Sequence, residues 1–140
     1  MEENQIERLL DAPYHVIDFL PRRVPEDGEG QFFAAEKFFR EERGAELRKK
    51  FADFLLKLNC YCSLEVFVNY SDEGVKDIEP EELAELIEGN KTALNVLIGS
   101  EDALITLDTD DTGMTVYNAK EEFLDLIGQI ASSCGMFLWK

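Results

Sequence analysis

A chain of 140 residues with 45% hydrophobic and 31% charged side chains has the size and composition of one globular domain. That excludes a large two-domain enzyme, a collagen-like chain and a low-complexity polymer. Its formal charge of −16, from 14 Lys and Arg against 30 Asp and Glu, repels phosphate backbones and anionic lipid heads, so neither nucleic acid nor a membrane surface is an expected partner. The charge is uneven. Residues 1–58 hold 10 basic and 13 acidic side chains and residues 59–140 hold 4 and 17, so −13 of the total falls in the second part. Such a field suits a basic protein partner or divalent cations; its plainer role is solubility.

No apolar run approaches the roughly 18 residues of a membrane helix. The opening MEENQIERLLDAP is acidic and amphipathic, without the basic start and apolar centre of a secretory signal. Three cysteines, Cys60, Cys62 and Cys134, are too few and of the wrong parity for a disulfide framework. The expected location is cytoplasmic.

In chain order, Glu2 to Leu10 reads as a short helix with Ile6, Leu9 and Leu10 on one face, and Pro13 stands beyond its end. Tyr14–Leu20 (YHVIDFL), aromatic and β-branched between two prolines, reads as a strand, and residues 22–30 (RRVPEDGEG) as a loop. Gln31 to Arg43 is helical and carries Phe32, Phe33, Phe38 and Phe39. Neighbouring helical residues lie about 100° apart, so these rings cover two faces. Burial of both faces between sheet and helices is the favoured expectation, and exposure for a partner is the other.

Ala45–Leu58 places Leu47, Phe51, Phe54, Leu55 and Leu58 at helical spacing. Cys60–Asn69 alternates and reads as a strand, with the thiols as small core hydrophobes. Residues 71–79 form a loop, Pro80 opens a helix and Gly89 ends it. Ala93–Ile98, Ala103–Asp108 and Met114–Tyr117 form a meander with tight turns. Asn118 with Glu121 has the spacing of a capping box ahead of a helix with Phe123, Leu126, Ile127 and Ile130 in its stripe. Gly135 closes that helix, and Met136–Trp139 is a last apolar strand, either inserted in the sheet or at an edge where it could pair with a second copy. The expected fold is a single α+β domain spanning residues 1–140: a mainly antiparallel sheet of about five to six strands with helices packed on one face.

The sharpest chemical pattern is ALITLDTDDTG over residues 103–113. Apolar strand residues before Asp-x-Asp-x-Thr resemble the first motif of haloacid-dehalogenase-type phosphatases. That resemblance implies Asp108 as nucleophile and Asp110 as acid/base with Mg²⁺ between them. The departures are heavy, because only 32 residues follow Asp108 and a hairpin follows it instead of a helix. Read as an EF-hand loop from Asp108, the stretch carries Asp110 and Gly113 at positions 3 and 6 but Ala119 where a bidentate Glu is required. Asp108, Asp110 and Asp111 thus stand as candidate weak metal ligands, and a polar hairpin turn is the simpler account of the same residues. Cys60, Cys62, Cys134 and the single His15 supply four zinc-type ligands on paper, but scattered over separate elements.

The segments IERLLDAPYHVIDFLP, LRKKFADFLLKL and MTVYNAKEEFLDLI together resemble a group of small, acidic, uncharacterised bacterial proteins. The resemblance implies a cytosolic bacterial single domain, and no activity, cofactor or catalytic residue. The expected function is a non-enzymatic interaction or regulatory module that binds a protein partner through an acidic or aromatic surface, with homodimerisation as a further possibility. An immunity-type protein that neutralises a basic toxin, or a nucleic-acid mimic, is a special case. The alternative is a small metal-assisted phosphohydrolase centred on Asp108 and Asp110.

Overall fold

The computed structural model describes residues 2–28, 30–89, 92–108 and 112–139, with side chains from Gln5 onward. In chain order the elements are α1 (Glu2–Leu10), β1 (Tyr14–Asp18), α2 (Phe32–Glu41), α3 (Gly44–Leu58), β2 (Glu65–Val68), β3 (Val75–Lys76), α4 (Pro80–Glu88), β4 (Leu94–Ile98), β5 (Ala103–Leu107), β6 (Gly113–Tyr117), α5 (Glu121–Ser133) and β7 (Phe137–Trp139). The seven strands form one antiparallel sheet in the order β3-β2-β4-β5-β6-β1-β7. The domain is α+β, with one strand more than the sequence suggests. The addition is β3, a two-residue edge strand within the segment read as a loop, where Lys76 pairs opposite Glu65.

Strand alternation splits the buried residues into two sets. Val66, Val96, Ile98, Ile105, Met114, Val116 and Ile17 point to one face and meet Phe51, Phe54, Leu55 and Leu58 of α3, Leu83 and Ile87 of α4, and Phe123, Ile127 and Ile130 of α5. This is the main core. Phe67, Leu97 and Leu104 point the other way and meet Ile6 and Leu9 of α1. The first helix therefore docks on the opposite face from α3, α4 and α5. An ion pair fixes it there: Arg8 donates to Asp102 at 2.6 Å, and Gln5 donates to the same carboxylate oxygen at 3.1 Å. Arg8 beside it holds the Asp102 carboxyl below the ordinary range, with Gln5 adding to the effect.

Three local features depart from the sequence reading. The backbone beyond α3 stays wound, with Cys60 N–H bonding to Lys57 O and Cys62 N–H to Leu58 O. The strand therefore starts only at Glu65, and Cys60 lies exposed in a turn instead of in the core. Asn118 does not cap α5, which begins after Lys120. It takes a left-handed φ of 64° and donates from its side chain to Asp102 O at 2.8 Å, fastening the end of β6 to the β4–β5 turn. The rings of α2 are not sequestered either: no residue of that helix is buried, and Phe33 is 82% exposed. Only Phe39 reaches inward, against Phe19 at a ring separation of 4.9 Å. Elsewhere the punctuation holds. Pro80 is at the first turn of α4, and Gly135, at φ 77°, ends α5 while Met136 N–H returns to Ala131 O.

A candidate binding cleft at the β1–β7 edge

β7 completes the sheet by pairing with β1, Val16 opposite Trp139 and Asp18 opposite Phe137. Beyond β1 lie loop residues 19–28 and 30–31, ahead of α2. Between that loop, α2 and the sheet edge lies a cavity of about 430 Å³, within the size range of ligand pockets. Its half-buried walls are Phe32 and Glu36 of α2, Thr112 ahead of β6, and Trp139 of β7, while Arg23, Glu26 and Phe33 stand exposed at its rim. Trp139 is fixed, its indole N–H donating to Leu20 O at 2.8 Å. A second hollow, lined by Tyr14, His15, Val16 and Arg22, shares Arg23 and Trp139 with it. His15 Nδ1 is 3.2 Å from Trp139 O, so the sole histidine holds the edge strand.

Asp18 sits on the buried side of the cleft. It is the one charged residue in the buried class among the described residues, at 8% exposure. Its side chain lies over Gly113, opposite it in the β1–β6 register. A Cβ at Gly113 would stand 2.5 Å from Ile17 O and 2.9 Å from Asp18 Oδ1, so only glycine lets the strands and the carboxylate come this close. Asp18 Oδ2 accepts the Leu20 N–H at 3.2 Å. Burial pushes the Asp18 carboxyl above the ordinary aspartate range, backbone N–H donors at Leu20 and Phe19 pull against it, and nearby Glu36 adds to the rise. Glu36 itself lies 3.6 Å from Arg40 one turn on. Among the described residues no basic side chain is ion-paired with Asp18.

The residues singled out in the sequence fall differently. Asp108 follows β5 and is exposed; it lines a separate hollow with Tyr70, Asn95 and Thr106. Asp110 and Asp111 lie outside the described residues. Among the described residues, no group of three or more His, Cys, Asp or Glu side chains is placed to hold a metal ion. Cys134 follows α5 beside Ser133, which accepts from Lys57 Nζ at 3.0 Å, and His15 is on β1, separated from β2 by β4, β5 and β6. Asp18 escaped the sequence reading. The signal was an acidic residue between Ile17 and Phe19 inside an otherwise apolar strand.

No protein-family model, no curated protein and no solved structure matches the chain. No helix among the described residues is long and apolar enough to cross a membrane.

Proposed function

We propose that this protein is a non-enzymatic interaction module and that the aromatic cleft at the β1–β7 edge is its contact surface. The observation that carries the reading is Phe33, 82% exposed on a helix whose face leads directly into a cavity walled by Phe32 and Trp139. Exposed aromatic rings beside a concavity cost solubility and are the residues that anchor protein interfaces. Phe38, at 47% exposure, extends the surface along α2, with the Arg43 guanidinium over its ring at 5.2 Å. The strongly negative molecule favours encounter with a basic partner.

The test places a photo-crosslinking benzoyl-phenylalanine at Phe33 and, as control, at Val75, which is exposed on the opposite edge strand. The expected result is one discrete adduct with a basic protein from the Phe33 position alone. Equal adduct patterns from both positions would remove the reading. The metal-assisted phosphohydrolase alternative rests on Asp108 at the end of β5, and a metal titration separates it from the interaction reading.

A further inference from the structure

The cleft beside Asp18 combines three properties that a solubilising surface does not need. It encloses a carboxylate that is more than nine-tenths shielded from solvent. It presents Phe32 and Trp139 in its walls and Phe33 at its rim, in the same cavity as that carboxylate. Among the described residues it also leaves the carboxylate without an ion-paired basic side chain: Arg23 lines the cavity from its exposed rim and Arg40 lies against Glu36. A buried charge is costly unless paired, so an acid held in an apolar cavity favours whatever cation reaches it.

We propose that this cleft takes the guanidinium group of an arginine side chain presented by a basic partner, with Asp18 as the accepting carboxylate. The inference rests on the interaction reading and names the chemistry that its partner would bring. Guanidinium fits better than ammonium for reasons of shape and hydration. It is planar, stacks on aromatic faces, donates two parallel hydrogen bonds to one carboxylate and gives up its water more readily. Asp18 Oδ2 already accepts a backbone donor, and an arginine would fill the remaining accepting positions. Glu36, half-buried on the α2 wall, adds a second carboxylate to the same cavity, partly offset by Arg40 at 3.6 Å. The charge of −16 draws the cation in from a distance.

Trp139 is the chain's sole tryptophan and lines the cavity, so its emission reports occupancy. The protein is titrated with N-acetyl-arginine amide, with the lysine analogue, and with the citrulline analogue, which keeps the shape and loses the charge. The expected result is a saturable change for arginine, with citrulline and lysine at least about tenfold weaker, equivalent to about 1.4 kcal/mol. Asp18→Asn should weaken arginine at least about tenfold, and Glu36→Gln by a smaller factor, each with a cooperative melt. Citrulline binding as tightly as arginine would overturn the charge pairing. Lysine binding as tightly would overturn the guanidinium preference, and no response to any of the three would overturn the site. The arginine–citrulline comparison needs no variant, so it stands even where Asp18→Asn fails to fold. A discrete Phe33 adduct without arginine binding would sink this inference and leave the interaction reading intact. Arginine binding without any Phe33 adduct would remove the interaction reading and, with it, the claim that a partner presents the arginine, leaving only a guanidinium site at Asp18.

Discussion

Replacing Gly113 with alanine tests the packing beneath the cleft. Two effects oppose each other. Alanine restricts the unfolded chain, which stabilises by about 0.4–1 kcal/mol where the native site has room. Here the added Cβ stands 2.5 Å from Ile17 O, about 0.9 Å inside the 3.4 Å at which ordinary contact begins, and 2.9 Å from Asp18 Oδ1. The first obstacle is backbone within the β1–β6 pairing and cannot swing aside. Overpacking of this kind costs about 1–3 kcal/mol, so the steric effect wins and a net loss of about 1–2 kcal/mol follows from these two ranges. With a urea m-value of about 1–3 kcal/mol/M, the midpoint should fall by about 1 M. Trp139 emission should shift as well, because Asp18 is displaced. Adding Asp18→Ala relieves the second contact and not the first, so it should restore part of the loss, with a coupling energy of about 0.5–1 kcal/mol. A Gly113→Ala protein as stable as the parent would refute the close approach on which the geometry of Asp18 depends.

Other expectations follow from separate features. Asp18 has a raised pKa when folded, so the native state binds more protons than the unfolded chain between the two values, and stability falls as pH rises from about 4 through the folded pKa. Asp18→Asn removes that dependence; urea midpoints of the two proteins should separate upward across this window in favour of the variant, and parallel curves would contradict it. Leu9, fully buried on the second face, should cost about 2–5 kcal/mol on truncation to alanine. Hydrogen exchange should then accelerate in α1 before α3, and uniform acceleration would show that α1 is not a separate docking unit. Finally, Mg²⁺, Mn²⁺ and Ca²⁺ should leave the melting temperature of the parent and of Asp108→Asn equally unchanged. A metal-dependent rise that Asp108→Asn abolishes, together with phosphoester turnover, would favour the phosphohydrolase reading instead.

The elements with strong periodicity were legible: α3, α5 and the β4–β5–β6 meander lie within a residue or two of where apolar spacing places them. What failed to show was tertiary. Spacing located the four phenylalanines of α2 on two faces, but whether neighbours cover those faces depends on how far the helix stands off the sheet, which no local pattern encodes. β3 is held by two pairings with β2 and carries no signal of its own. Asn118 matched a capping box because the motif is defined by spacing alone, while the Asp102 carbonyl that claims its side chain belongs to a distant turn. The candidate site was missed for the same reason. Asp18, Phe32, Thr112 and Trp139 are far apart in sequence and form no local pattern, whereas Asp108 stands in a stretch with motif-like spacing.

The three-residue β7 supplies one wall of the cleft yet is held on one side only, by β1. An edge strand so short can fray while the α3–α5 core stays folded, so opening at this edge needs far less free energy than global unfolding. The bond from the Trp139 indole to Leu20 O spans 119 residues of sequence, and forming it draws together distant parts of the chain. Occupation of the cleft would therefore be felt first as slower exchange at the backbone amides of residues 137–139, before any change in the stability of the whole. Under the proposed binding, the site and the sheet edge would gain order together.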